Sequence, residues 1–350
     1  MLNIGIIGAG AISKRHLNGY RQIPGVQVCA ICDLNEQTAK TRAAEFSIPA
    51  YCTDPMQILT DPNIDAVSIV TPTFTHKDLV LAALEHGKHV LCEKPPALNA
   101  REAAQCEEAA KKSGKLLMYG FVVRFSKETQ FLKDYIASGA MGEIYYAEAT
   151  RMNRHHRIGG WFVNQEMSGG GALIDSVIHE LDMVLYLLGY PRVHSIKGFT
   201  SREIGSLPYA MKGVGGGWNS ADTASYAYEV ESLAGALIRF VDGRTLYVKT
   251  SWALNTCRPG KLVELCGTKA GAEVTKEGVS LFRADESGYY LESTPVLKEE
   301  VAGFDREISH FVDCCLGEAE CIVKPEEGTA IMQIIDAIYR SAETGKEVVF

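Results

Sequence analysis

Lys94, Asp175 and His179 are the residues whose types and settings suit the handling of protons and developing charge. Lys94 follows Val90-Leu91-Cys92-Glu93 and precedes Pro95-Pro96. The apolar run suits a strand inside a parallel sheet, and the two prolines forbid both continued pairing and an immediate helix. An ammonium is thereby set at the carboxyl end of a strand, the edge at which open α/β sheets bind ligands. A solvated lysine in a turn fits this segment as well. Asp175 and His179 lie four apart in the stretch that begins Ser168-Gly169-Gly170-Gly171-Ala172, among apolar Leu173, Ile174, Ile178 and Leu181. On a helix they share a face. A partly buried imidazole beside a carboxylate exchanges a proton near neutral pH. With a hydride acceptor, the set fits oxidation of a secondary alcohol: His179 takes the hydroxyl proton, Asp175 orients it and Lys94 stabilises the developing alkoxide. The same spacing also fits an Asp–His contact that serves stability alone.

The elements that would position these groups begin with Gly8-Ala9-Gly10-Ala11-Ile12-Ser13, which follows the first strand and opens the first helix. Glycines there permit a tight turn and let backbone N–H groups approach a pyrophosphate at the helix N-terminus. Ser13 stands where glycine or alanine is usual, a departure that a small side chain accommodates. Asp33 ends the second strand, 25 residues after Gly8. A carboxylate there accepts hydrogen bonds from ribose hydroxyls and repels a 2′-phosphate. No arginine adjoins Leu34 and Asn35, so NAD is expected over NADP. A helix N-cap is the other reading of Asp33.

Strand patterns at Asn3–Ile7, Val26–Cys32, Ala66–Val70, Lys88–Cys92 and Lys115–Tyr119 alternate with helical ones near Ile12–Gln22, Glu36–Phe46, Lys77–His86 and Ala100–Ser113. This rhythm predicts an α/β chain that opens with a doubly wound parallel sheet. Later segments read as helix Lys127–Ser138, strand Ile144–Thr150 and a long helix Ala172–Leu188. Strands follow at Val193–Thr200, Ala224–Val230, Ala236–Phe240, Thr245–Ser251 and Lys261–Cys266, then helices Phe304–Cys315 and Glu326–Thr344. Short polar turns between these strands predict a mainly antiparallel sheet. The glycine-rich stretch Gly205–Ser220 reads as an excursion, a lid or a subunit contact.

Composition narrows the class. The 350 residues favour two domains, 46% are apolar and 22% charged, and the net charge is −8. That balance argues against a nucleic-acid surface. The apolar runs fall short of the ~20 residues of a membrane span, and the N-terminus enters a strand without a basic leader. A cytoplasmic protein is expected. Of the ten cysteines, Cys29 and Cys32 sit three apart on a strand pattern, and Cys314 and Cys315 are adjacent on a helix. Such neighbours point apart, so reduced core cysteines and no metal site are expected.

Gly8-Ala9-Gly10, Thr71-Pro72 with His76, Glu93-Lys94-Pro95, and Gly169-Gly170-Gly171 through Asp175 and His179 resemble the glucose–fructose oxidoreductase, inositol dehydrogenase and rhizopine-catabolism (Gfo/Idh/MocA) family. The closing Pro325–Lys346 stretch is similar as well. The resemblance implies a Rossmann domain over 1–121 and, over 122–350, an α/β domain on a large, mainly antiparallel open sheet. The helix near 326–344 would pack back on the first domain. It implies homodimers or homotetramers. It also implies that Lys94, Asp175 and His179 face the nicotinamide. Gly8, Gly10, Ala11, Ile12, Asp33, Thr71, Pro72, His76, Glu93 and Lys94 would line the cofactor. Thr71, Pro72 and His76 equally suit a plain helix start.

Arg124 and Trp161 fall, by the same resemblance, near the substrate. Trp161 suits stacking on a sugar ring or a place in the core. Asn153 and His156 belong to the basic run Arg151–Arg157, which suits recognition of a carboxylate, a phosphate or polyol hydroxyls, or a solvated or intersubunit loop. The leading function is NAD-dependent oxidation of a ring hydroxyl of a sugar, inositol or related polyol. A redox-neutral glycoside lyase or hydrolase that retains NAD would use the same groups, and a non-catalytic NAD-binding regulator would leave them idle.

Overall fold

The computed structural model describes residues 1–156, 158–207, 227–284, 286–288, 290–298 and 301–350. They form two compact units, residues 1–122 with 301–332 and residues 123–300 with 333–350. In chain order the first runs β1 (Leu2–Ile7), α1 (Ser13–Arg21), β2 (Val26–Cys32), α2 (Glu36–Phe46), β3 (Ala50–Cys52), α3 (Met56–Leu59), β4 (Ala66–Ile69), α4 (His76–Glu85), β5 (His89–Glu93), α5 (Ala100–Ser113) and β6 (Leu117–Gly120). α5 shows how local sequence sets an element. Asn99 accepts the Glu102 N–H at the start, Glu102 sits in the first turn, Lys111 and Lys112 in the last, and left-handed Gly114 ends it.

The strands are parallel in the order β3-β2-β1-β4-β5-β6, so the order reverses between β1 and β4. Register then fixes the site. Ile7 pairs with Cys32 and with Ile69, and Ile69 pairs with Cys92. Gly8, Asp33 and Val70 therefore leave the sheet at the level of Glu93, the last residue of β5, with Thr71 and Lys94 a residue beyond. This edge, beside the strand-order switch, is where open α/β sheets bind ligands. β3 escaped the sequence pattern because it is short and mostly exposed. β1 and β2 slip by one residue, since Ile4 faces Val28 while Gly5 faces Ala30. Cys29 is the bulged residue, so simple alternation does not relate it to Cys32.

The second unit contains α6 (Lys127–Ala137), β7 (Ile144–Met152), α7 (Gln165–Ser168), α8 (Ile178–Leu188), β8 (Val193–Ser201), β9 (Leu233–Phe240), β10 (Thr245–Ser251), β11 (Gly260–Gly267), β12 (Ala270–Thr275), β13 (Gly278–Ala284) and β14 (Tyr290–Ser293). The chain closes with α9 (Gly303–Leu316), α10 (Pro325–Thr344) and β15 (Val348–Val349). The nine-stranded sheet has the order β14-β13-β12-β11-β7-β10-β9-β8-β15 and is antiparallel except where β7 meets β10. Ala147, Ala149, Ala236, Ile238, Leu246 and Val248 face the core, while Phe199, Leu237 and Arg239 lie on the open face.

Three differences from the sequence expectation stand out. Residues 227–230 are loop, and 224–226, like most of Gly205–Ser220, lie outside the described residues. β12, β13, β14 and β15 were not anticipated, because short, partly exposed strands leave a weak apolar pattern. The long helix over Ala172–Leu188 opens as a π-helical turn, Leu173–Val177. No helix among the described residues is long and apolar enough to cross a membrane.

Candidate active site

At the sheet edge of the first unit, Gly8 has φ +103°, and a Cβ there would lie 2.5 Å from the Val70 carbonyl oxygen. The turn therefore needs glycine both for its dihedral angle and for its approach to the β4 loop. Gly10 differs, because a Cβ there would meet nothing within 4 Å. It leaves a bare backbone edge of the kind a pyrophosphate requires. Ala11 and Ile12 lead into α1, whose start carries no side-chain cap and no acid in its first turn. Its N–H groups thus suit a phosphate. Ser13 is buried and donates to Gly10 O at 2.7 Å, which is how the unusual third position is accommodated. The residues fit a dinucleotide.

Asp33 holds the loop from β2. Its Oδ2 accepts the Ala9 N–H at 2.9 Å and its Oδ1 the Asn35 N–H at 2.9 Å. Asn35, not Asp33, caps α2. Arg42 was not anticipated: it donates to Ala9 O and Gly10 O and pairs with Glu45 at 2.7 Å. It sits on the helix that follows Asp33, nine residues on, so only the fold brings it to the loop.

The β4 and β5 ends are tied together by His76. Its Nδ1 meets Pro95 O at 2.8 Å and its Nε2 meets Thr71 O at 2.9 Å. Burial pushes the pKa of His76 down, while the two carbonyls oppose that shift. Thr71 Oγ1 bonds Thr75 Oγ1, and Thr75 Oγ1 donates to Pro72 O. Glu93 points inward: its Oε1 lies 3.0 Å from His16 Nε2, and its Oε2 accepts the Lys94 N–H at 3.1 Å. His16 continues to Ser68 and Tyr20. This buried relay ties the base of Lys94 to α1, and no spacing in the sequence announces it. Lys94 itself is partly buried and follows β5 through a cis Lys94–Pro95 bond.

In the second unit the glycine run has a packing cause. A Cβ on Gly171 would lie 2.0 Å from Glu231 O, and one on Gly170 2.0 Å from the Tyr339 hydroxyl. The Glu231 carboxylate accepts the Gly171 and Leu173 N–H groups, each at 2.8 Å, and the Tyr339 O–H at 3.1 Å. Burial pushes the Glu231 pKa up to about 7. Sequence reading missed this anchor, which lies some sixty residues from the turn it holds.

From Gly171 to Leu185 the chain is buried except at Asp175 and His179, which both keep partial exposure. The π turn and α8 therefore turn these two groups together out of an apolar element. Turns of this type recur at functional sites. Ser176 Oγ donates to Asp175 Oδ2 at 3.2 Å and accepts the indole N–H of buried Trp252 at 2.8 Å. Trp252 belongs to a cluster with Ile158, Val163, Ala172 and Val230. His156 lies within range of the Asp175 charge. Partial burial lowers its pKa, Asp175 raises it and Arg151 lowers it. Asn153 Nδ2 donates to Ser251 O at 3.1 Å, which fixes its orientation. Trp161 is half-buried and stacks on Phe162 with ring centres 3.9 Å apart.

Arg124 departs from the expected substrate contact. It is fully buried, its fork donates to both Asp182 oxygens at 2.8 and 2.6 Å, and it also donates to Tyr190. Tyr186 flanks it at 4.9 Å. A charge so enclosed braces α8 from inside.

A six-stranded parallel sheet with a glycine loop and a carboxylate at the end of its second strand defines a Rossmann nucleotide-binding unit, here joined to an α/β unit that contains Asp175 and His179. Residues 2–121 match the family model described as "Oxidoreductase family, NAD-binding Rossmann fold". Residues 133–350 match "Oxidoreductase family, C-terminal alpha/beta domain". The chain belongs to the Gfo/Idh/MocA oxidoreductases. It is 36% identical to D-glucoside 3-dehydrogenase of Escherichia coli (strain K12), over 99% of this chain and 97% of that one. It is 34% identical to scyllo-inositol 2-dehydrogenase (NAD(+)) of Bacillus subtilis (strain 168), over 55% of each. The solved structure "Levoglucosan dehydrogenase, complex with NADH" superposes with a TM-score of 0.86 at 23% identity, covering 99% of this chain and 98% of that one, which establishes the fold.

Proposed function

We propose that this protein is an NAD-dependent dehydrogenase that oxidises a ring hydroxyl of a sugar, inositol or related polyol. The observation that carries the reading is that Asp175 and His179 alone keep partial exposure between Gly171 and Leu185. The full-length likeness to a glucoside dehydrogenase supports the carbohydrate class. Bound nicotinamide supplies the hydride acceptor. His179 takes the hydroxyl proton, and Asp175, held by Ser176, orients it. Lys94, fixed at its base by Glu93, stabilises charge developing on the oxygen. His156 and Asn153 bind substrate hydroxyls and Trp161 offers a stacking face, while Arg124 acts by positioning α8. Gly8, Gly10, Ala11 and Ile12 receive the pyrophosphate. Thr71, Pro72 and His76 shape the nicotinamide side.

NAD is preferred because the Asp33 carboxylate, which accepts the Ala9 N–H of the glycine loop, would repel a 2′-phosphate there, while Arg42 is engaged by Ala9, Gly10 and Glu45. The open face of the nine-stranded sheet, with Phe199 and Leu237 exposed, supports a homodimer or homotetramer. Ten free cysteines suit the reducing cytoplasm.

The test is NADH formation, followed by absorbance, with glycosides, aldoses and inositols. Stoichiometric NADH is expected, with His179→Ala lowering kcat by about 10²–10⁴-fold while NADH binding is retained. Unchanged kcat would remove the assignment of His179. Product without NADH would point to redox-neutral chemistry, and equal turnover with NADP would remove the cofactor preference.

A further inference from the structure

One cluster of ligating side chains lies outside the proposed chemistry. His310 and Cys314 are four apart on α9, so both project from one helix face. Left-handed Gly317 then ends the helix, with its N–H on Cys314 O and the Glu318 N–H on Asp313 O. This reversal returns the chain, and Cys321 joins the other two. The ligand atoms of His310, Cys314 and Cys321 all lie within 4.8 Å of one another, and each residue is partly buried. Cys314 Sγ is 3.4 Å from His310 Nε2.

That spacing can be compared with what a metal demands. Zinc–sulfur and zinc–nitrogen bonds of about 2.3 and 2.0–2.1 Å at a tetrahedral angle place the sulfur and nitrogen about 3.6 Å apart, and two sulfurs about 3.8 Å apart. The Cys314–His310 edge is already at that length. Nε2 accepts the Ile322 N–H at 3.1 Å, so Nδ1 holds the proton, and the Nε2 lone pair, also within reach of Cys314 Sγ, is the one a metal would take over from Ile322. Cys321 Sγ meanwhile donates to Val323 O at 3.1 Å.

The geometry points to a binding site for a thiophilic cation, Zn²⁺ in the first instance, formed by His310 Nε2, Cys314 Sγ and Cys321 Sγ. Binding exchanges the two S–H bonds for two metal–thiolate bonds and releases two protons to solvent for each ion. The ion replaces the hydrogen bonds that Ile322 N–H and Val323 O now share with the cluster, and solvent takes the fourth position. The consequence is structural. Residues 321–323 are stapled to the end of α9, the helix whose Ile308 packs on Gly19 of α1. The metal-free expectation drawn from Cys314 and Cys315 considered neighbours in sequence, whereas the ligand set needs the turn at Gly317.

The experiment is Co²⁺ titration of the reduced, metal-stripped full chain without nucleotide, read by thiolate-to-cobalt charge-transfer absorption. One ion per chain, displaced by Zn²⁺, is expected, together with a higher melting temperature in Zn²⁺ than in chelator. Cys314→Ser and Cys321→Ser should each abolish the band while circular dichroism stays native. His310→Gln should weaken binding by at least about tenfold yet keep sulfur-to-metal absorption. Cys257→Ser, at an exposed cysteine elsewhere, should change nothing. Absence of the band in the wild type, or its survival in either serine variant, would overturn the site.

Discussion

Two glycines in loops that open helices of the proposed site, Gly10 before α1 and Gly171 before the π turn and α8, hold their places for different reasons. At Gly10 the side-chain position is open, so nothing in the protein itself requires glycine there, and the proposed pyrophosphate is what would. At Gly171 it is already filled by the Glu231 carbonyl, so glycine is required by the protein itself. In sequence the two motifs look alike, each a short cluster of glycines before a helix. The difference teaches that a glycine motif reports close approach, and only the neighbours tell whether that approach is to a ligand or to the chain.

Substitution separates the two cases. Gly171→Ala drives a methyl into backbone that cannot swing away, and it should destabilise the protein by about 3 kcal/mol or more in urea unfolding. A loss below about 1 kcal/mol would mean the Glu231 loop yields, and the contrast would collapse. Gly10→Ala should leave stability within about 0.5 kcal/mol. It should weaken NADH binding at least about tenfold, or about 1.4 kcal/mol, by fluorescence titration. Unchanged binding would remove the pyrophosphate from this loop.

A third test concerns Glu231. Its folded pKa, about 7, lies above its ordinary 4.5. The unfolded chain therefore releases this proton first. Stability from this group is complete below about pH 4.5 and declines as pH rises to about 7. Glu231→Gln should flatten that slope in unfolding measurements across the window. Parallel wild-type and variant profiles would show that the three donors hold Glu231 ionised throughout.

Much of this was legible along the chain. The apolar runs of β1, β4 and β5 are nearly continuous because both faces are buried, so they stand out against the helices between them. Asp33 and Lys94 were legible because each ends a strand pattern. The Asp175–His179 spacing survived even though the π turn did not show, because an extra backbone residue per turn leaves no mark on side-chain type. Arg124 was expected near the substrate by resemblance to the family, but it is buried on Asp182, a partner 58 residues away. The anchor Glu231 and the clamp His16–Glu93 were invisible for the same reason.

By itself, then, the sequence determined the order and type of the main elements, the edge where a nucleotide belongs and the side chains able to move a proton. These follow from local periodicity and from residues that end strands or begin helices. Only the tertiary structure decided which glycines serve a ligand and which serve packing, which arginine is buried and which touches the loop, and which histidine meets which cysteines. Those outcomes depend on contacts between residues far apart in the chain, and burial, charge pairing and close approach exist only once the chain has folded.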